Sequence, residues 1–275
     1  MESATEEAPT IFHLSLRDMM DAQVMSVIED DMVHDYYVSD DWTQNFYIVQ
    51  AIRGFIAVGY TTAAGVDLLL PQMQHAYCIL DFYKIHKGEK IVRSIGRHAE
   101  WRLRVNRDIR LLLQMLNRYH QKTWLNESYC SLITEIHQQG PHVVNDPLRK
   151  GKVAFHICSV ELYDDQDNLV AGELGYVIGR TFTSLTGFCE RRKGESIGKI
   201  QLVALAKVLE TCGFEFLNLG QPPIGDIMRY KKDIGGVVYT RRDFLNRWMP
   251  SINRPPPEFA KFSRFESRLC DLGLC

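Results

Sequence analysis

The sequence predicts an α+β fold, a small N-terminal α/β domain followed by a C-terminal domain built on strands, and three stretches carry that reading. The first is SVELYDDQDNLVAGELGYVIGRTFTSL, where apolar residues alternate at Val160 and Leu162 and again from Val170, around the turn-forming DDQDN. This pattern gives two or three strands. The second is IQLVALAKVLETCG, with Ile200, Val203, Ala204 and Val208 at helical spacing and a second stripe at Leu202, Leu205 and Leu209. Such a helix is buried on much of its circumference, and Gly213 stands where its C-terminal cap belongs. The third is GPHVVNDPLRKGK, whose Gly, Pro and polar residues mark a boundary between a mixed first half and the strand-rich centre.

In chain order, residues 1–35 form an acidic N-terminal extension. Residues 1–10 read as a frayed tail, and Ile11–Met32 as a Met-rich helix packed on the body through Leu16, Met19, Met20, Val24, Val27 and Ile28. The N-terminal α/β domain spans residues 36–140. Ser39 or Asp40 caps a helix that runs through Phe46, Val49 and Ile52 and ends at Gly54, and FIAVGY follows as a short strand. LLLPQMQHAYCILDF reads as two strands broken at Pro71, and KIVRSIGRHAEWRLRVN as a basic loop or helix leading into the strand WRLRV. Asp108–His120 is an amphipathic helix with Ile109, Leu112, Leu113 and Leu116 inside, and Glu127–Gln139 a further helix ended by Gly140.

The second domain spans residues 152–248. After its strands come the basic loop RRKGESIGK, the buried helix and the strand FEFLNL, which delivers Asn218 and Gln221 to its exit before Pro222 and Pro223 forbid further pairing. That exit is the candidate active site. Residues 249–275 read as an extended strap ending in a helix.

Composition narrows the function. With 45% hydrophobic and 24% charged residues, 275 residues can bury a sizeable core. No apolar run approaches the roughly 18 residues that span a bilayer, and Glu2, Glu6 and Glu7 stand where a secretory signal would be basic. A cytoplasmic monomer without a membrane partner is expected. Seven cysteines, at 78, 130, 158, 189, 212, 270 and 275, show no C-x-x-C pair, so no disulfide framework, metal site or cofactor is expected. Charge is distributed unevenly: the first 50 residues hold eleven acids and one base, whereas Lys84–Arg110 holds nine bases and three acids. That basic run suits a polyanion such as RNA, with Lys84, Lys87, Lys90, Arg93 and Arg97 as candidate phosphate contacts.

The loop before the buried helix adds a second anionic subsite. Arg191, Arg192, Lys193 and Lys199 surround Gly194 and Gly198 at a helix start, where backbone N–H groups and the helix dipole favour a phosphate or carboxylate. Arg191, Gly194 and Ser196 resemble the R-x-x-G-x-G/A pyrophosphate loop of acyl-CoA N-acetyltransferases (the GNAT fold).

Several collinear segments resemble the leucyl/phenylalanyl-tRNA-protein transferase family. SVELYDDQDNLVAGELGYVIGRTF is similar to its SVEVW and LVGG-x-YGVAIGR-x-F segments, KIQLVALAKVLETCGFEFLNLGQ to its SKVALVAL run and the strand ending in DCQ, and TRRDFL to its PR-x-x-F/Y. SDDWTQNFYIVQAIRGFIAV, WRLRVNRDIRLLLQML and TWLNESYCSLITEIHQQG correspond to the helix ending at R-G-x-F-P, to Y-R-V-T-x-N-x-x-F and to TWI, so the likeness extends from about residue 36 to 248. It implies a GNAT-like C-terminal domain and transfer of Leu, Phe or Met from aminoacyl-tRNA, the donor partner, to a protein or peptide N-terminus, the acceptor.

The resemblance also implies site residues. Trp124, at the TWI position, stacks on the terminal adenine; Phe182 and Leu185 line the aminoacyl pocket; Arg93 and Arg97 hold tRNA phosphates, with Arg191 and Lys199 as further substrate-binding cations; and Asn218 and Gln221 orient the amine or the carbonyl. Two positions depart from the pattern. Counted from Gly213 and Phe214, Asn218 stands at the aspartate of DCQ, or Leu219 if Gln221 takes the place of its glutamine, and Leu185 stands at the glutamate of GESMFS, so both family carboxylates are missing, and QPPIGDIMRYKKDIGG adds residues before the closing Arg241, Arg242 and Phe244. An amide hydrogen-bonds but cannot serve as a base. An acyl-CoA-dependent N-acyltransferase using Arg191–Lys199, or a non-catalytic tRNA- or protein-binding relative, are the alternatives.

Overall fold

The computed structural model describes residues 12–274 except 122–123, 147, 149–150, 193–194, 227 and 256. The readings of residues 1–11, Lys193, Gly194 and Cys275 fall outside these.

The N-terminal extension forms β1 (Phe12–His13), α1 (Leu16–Met19) and α2 (Ala22–Asp30), and β2 (Tyr37–Val38) then pairs in parallel with β1. The single helix expected over Ile11–Met32 is therefore two. Ser15 closes a capping box on Asp18, and Asp21 starts a second helix by accepting from the N–H groups of Gln23 and Val24. Met19, Met25 and Ile28 are buried, as the methionine stripe required.

Helix α3 (Gln44–Ile52) is capped by Thr43, which accepts from Phe46 N–H at 3.2 Å, rather than by Ser39 or Asp40. β3 (Ile56–Thr61) and β4 (Asp67–Gln72) form a two-stranded sheet, and Pro71 lies inside β4 opposite Ala57 instead of breaking it. Leu69, of the same parity, exchanges both its backbone bonds with Ser39 on the far edge, so the N–H that Pro71 lacks is one β3 does not use.

The remaining elements are β5 (Ala76–Asp81), α4 (Glu89–Arg97), β6 (Arg102–Val105), α5 (Ile109–His120), α6 (Glu127–Gln139), β7 (His142–Asp146), β8 (Gly151–Tyr163), β9 (Leu169–Ile178), β10 (Thr181–Cys189), α7 (Ile197–Thr211), β11 (Phe216–Asn218), α8 (Tyr230–Asp233), β12 (Val237–Thr240), α9 (Arg241–Ile252), α10 (Phe259–Phe262) and β13 (Glu266–Arg268). Asp108, Asn126 and Thr240 cap α5, α6 and α9 through their side chains.

A nine-stranded sheet organises them in the order β12-β5-β11-β10-β9-β8-β6-β13, with β7 also on β8. It draws β5 and β6 from residues 36–140 and β13 from the C-terminal strap, and the presumed boundary loop at 140–152 supplies β7. In this sheet β10 and β11 are the parallel pair, and such a pair needs a long crossover, which α7 provides. Along β5, Tyr77 and Ile79 join one core and Cys78 and Leu80 the other; β8 and β9 alternate likewise. Period-two alternation buried on both sides means that the sheet carries a core on each face. One face packs α3, α5, α6 and α9; the other packs α4, α7, α10 and the turn at 269–272.

Two buried arginines tie the periphery to this frame. Arg53 makes a bidentate pair with Asp146 at 2.8 and 2.9 Å, joining α3 to β7, and donates to the Met19 carbonyl at 2.9 Å. Arg241, of the closing TRRDFL, donates to the carbonyls of Ile28 at 3.0 Å and Gln74 at 3.1 Å. It thereby seats the N-terminal extension on the sheet end. Among the described residues no helix is long and apolar enough to cross a membrane.

Candidate active site

The site begins where two parallel strands part. β10 pairs with β11 only at Thr181–Phe216, Phe182–Leu217 and Thr183–Asn218. A bulge between Ser184 and Thr186 then sets Leu185 out of register with β9, while β10 continues on β9 to Cys189. β11 ends because Gly220, at φ +70°, turns the chain, and Pro222 and Pro223 offer no N–H. The parallel pairing thus ends at the polar exit of β11, and this opening of the ladder is flanked by Ser184, Leu185, Asn218 and Gly220.

On the α7 face a buried carboxylate stands beside the parting strands. Glu173 of β9 is 5% exposed, accepts a hydrogen bond from Ser184 Oγ, and lies opposite Gly187. A Cβ at Gly187 would stand 2.2 Å from Glu173 Oε2, so the glycine makes the room that the carboxylate occupies. Burial pushes the Glu173 carboxyl up to about 7, against the opposing pull of the Ser184 hydrogen bond and the Lys231 charge. Lys231, also 5% exposed, donates from Nζ to the carbonyls of Leu219 at 2.7 Å and Gln221 at 2.8 Å. Burial lowers its pKa, opposed by the charges of Cys78 and Glu173. Both Lys231 and the partly buried Tyr230 come from the segment that precedes TRRDFL.

On the opposite face stand amides. Asn218 is 1% exposed; its Oδ1 accepts from Gly220 N–H at 2.9 Å and its Nδ2 donates to Thr183 Oγ1 at 3.4 Å. Its polar atoms are thus spent on holding the strand exit. Gln221 is partly exposed and donates to Gln72 Oε1 at 3.2 Å, and Gln72 donates to Asp35 at 2.8 Å. Gln74 continues the row, with its own Oε1 buried and without a partner.

The other expected residues fall into three places. Leu185 sits at the bulge, partly buried, beside the opening. Phe182 is fully buried on the α7 side, edge-on to Phe262 at 6.0 Å, and Trp124 packs edge-on against buried Tyr129 of α6 at 4.8 Å. The cations form a separate surface. Arg93 and Arg97 are exposed on α4, and Lys90 of the same helix faces Lys199 of α7 across an open cleft of about 250 Å³ with His86, Ser196 and Asp233. Lys199 pairs with Asp233 at 2.6 Å, while the Arg191 guanidinium lies 5.9 Å from the Tyr119 ring centre. The structure therefore brings Leu185, Asn218 and Gln221 to the opening, and groups Arg93, Arg97 and Lys199 around α4 and the start of α7.

Glu173, Ser184 and Lys231 were not singled out from the sequence. The available signal was a lone acid inside LVAGELGYVI, a strand otherwise apolar on both faces, where a carboxylate has no solvent side to occupy.

Comparison with known proteins places the chain. The family described as leucyl/phenylalanyl-tRNA protein transferase matches residues 79–248, from β5 into α9. No curated protein matches the chain in sequence. Among solved structures, L-PGS from Bacillus licheniformis is 15% identical at a TM-score of 0.35, covering 65% of this chain and 64% of its own. The C-terminal domain (DUF2156) of a protein named as a lysylphosphatidylglycerol synthetase from Agrobacterium fabrum is 17% identical at 0.32, covering 80% and 62%. The chain thus spans a little under two thirds of the length of each of these structures. With more than half of its length matched, the chain belongs to the leucyl/phenylalanyl-tRNA protein transferase family.

Proposed function

We propose that this protein transfers an aminoacyl group, Leu, Phe or Met, from aminoacyl-tRNA to the α-amine of a protein or peptide, at the opening between β10 and β11. Family membership supports aminoacyl-tRNA-dependent transfer as the class of chemistry. The observation that carries the site is the divergence of the parallel strands at the Ser184–Thr186 bulge, where a buried carboxylate, a serine and a strand exit meet. The donor is already an activated ester, so the protein's main task is to hold the amine against the carbonyl carbon, and positioning supplies much of the rate. Leu185 is the wall against which an apolar aminoacyl side chain rests. Gln221, on the rim, orients the carbonyl. On this reading β10, α7 and β11 form the N-acetyltransferase-like element of the fold, and the Lys90, Arg93, Arg97 and Lys199 surface receives tRNA phosphates of a cytoplasmic substrate.

The test is transfer of radiolabelled Leu, Phe or Met from charged tRNA to a panel of peptides with different N-terminal residues. Product is expected with at least one donor, and no product with any donor overturns the reading. Arg93→Glu combined with Arg97→Glu is expected to weaken tRNA binding and to reduce the salt dependence of that binding by about one to two ion equivalents.

A further inference from the structure

We propose that Ser184 and Glu173 form the proton-transfer pair of the transfer reaction, Ser184 touching the attacking amine and Glu173 holding the proton. The inference rests on the transferase reading above. It supplies a carboxylate from β9 beside the exit of β11.

Four features of the chain support it. Ser184 is the last residue of β10 before the bulge and the first beyond the β11 pairing, so this partly exposed residue stands where the two strands part. Its hydrogen bond to Glu173 is the only one that the described residues give to this carboxylate. A buried carboxylate kept for structure is normally satisfied by several donors, so this one is poorly explained as a structural group. Gly187 leaves bare the strand against which Oε2 lies. Finally, the positive Lys231 acts on Glu173 from α8 while its own hydrogen bonds go to the Leu219 and Gln221 carbonyls, so it biases the carboxylate without forming an ion pair with it. The other titratable groups facing this corner are Tyr230 of α8, Cys189 of β10 and Cys78 of β5. A carboxyl raised to about 7 can hold and return a proton near neutral pH.

The step balances without any further reactant. The amine nitrogen bonds to the ester carbonyl carbon; its proton passes to Ser184 Oγ as the serine proton passes to Glu173 Oε1. When the tetrahedral intermediate collapses, the bond to the tRNA 3'-oxygen breaks and the proton returns by the same path to that oxygen. A peptide bond, free tRNA and an ionised Glu173 remain.

The experiment is single-turnover transfer by wild type, Glu173→Gln, Glu173→Asp and Ser184→Ala, using the Leu-, Phe- or Met-charged tRNA that wild type accepts. Glu173→Gln and Ser184→Ala are each expected to lower the rate constant about 100-fold or more with the apparent KM for peptide nearly unchanged, and Glu173→Asp to recover part of the loss. Ser184 is partly exposed and its alanine variant folds whatever becomes of Glu173→Gln, so the test does not depend on one substitution. Active wild type together with a Ser184→Ala variant within twofold of it overturns the pair while leaving the transferase reading standing. Wild type inactive with all three donors overturns that reading and this inference with it.

Discussion

Two buried glutamates on neighbouring strands differ in how fully their oxygens are satisfied. Glu161 of β8 faces the start of α5 and accepts from Ser159 Oγ at 2.6 Å, Asp108 N–H at 3.1 Å and Arg107 N–H at 3.2 Å. Glu173 of β9 faces the other side of the sheet and accepts only from Ser184 among the described residues. Burial pushes both carboxyls above the ordinary range. The difference lies in what surrounds them: Glu161 is consumed by holding the turn from β6 into α5, whereas Glu173 keeps an oxygen over a bare glycine beside an opening. A buried acid with a full set of donors is a part of the scaffold. One with a single, partly exposed donor is available for work.

That contrast predicts opposite responses to substitution. Glu161→Ala is expected to cost about 4 kcal/mol, since it leaves two backbone N–H groups and a serine without their acceptor, and thermal unfolding should fall by about 10 °C. Full stability in this variant would break the comparison. Glu173→Gln should instead stabilise the protein at pH 8. With a folded value near 7 against an ordinary 4.5, the Glu173 contribution is present in full below pH 4.5 and is lost as pH rises through about 7, a decline of about 3 kcal/mol that glutamine abolishes. Urea titrations of wild type and Glu173→Gln between pH 5 and 8 should show their stabilities diverging as pH rises; parallel curves would contradict the raised Glu173 carboxyl.

His156 offers the converse pH dependence on the strap side. It is 5% exposed and stacks on Phe259 of α10 at 3.6 Å, and burial lowers its pKa to about 4, helped by His142. A histidine depressed from 6.5 contributes stability above pH 6.5 and loses it as pH falls through 4, so His156→Leu should flatten the acid side of the stability profile by up to about 3 kcal/mol. The smallest effect belongs to Ser184→Ala, within about 1 kcal/mol of wild type in stability. A larger loss would make the serine a structural partner of Glu173.

Much of the fold was legible. Helices α5, α6 and α7 announced themselves through their apolar spacing and the stop glycines Gly140 and Gly213, which are local signals, and β8–β10 through alternation around DDQDN. What escaped was long-range. The pairing of β5 with β11 and β6 with β8 joins residues far apart in sequence, and nothing in AYCILD or RLRV names the partner. The loop at 140–152 read as a linker because its polar residues lie along β7, where His142, Val144 and Asp146 are more covered than the exposed positions between them. At the site, Asn218, Gln221 and Leu185 were located by their place at the exit and by family likeness. Glu173 was passed over because alternation treats one acid in a strand as facing solvent, and this strand has no solvent face.

The claim most open to test is that the opening between β10 and β11 receives the aminoacyl group. Leu185→Trp would narrow it from a partly buried position on the sheet face opposite the Glu173 side chain. Single-turnover transfer by this variant, alongside its melting temperature, gives the direct answer. A fall of about 100-fold or more in transfer with the melting temperature within about 2 °C of wild type is predicted. Wild-type transfer by Leu185→Trp would contradict the account and move the active site elsewhere on the molecule.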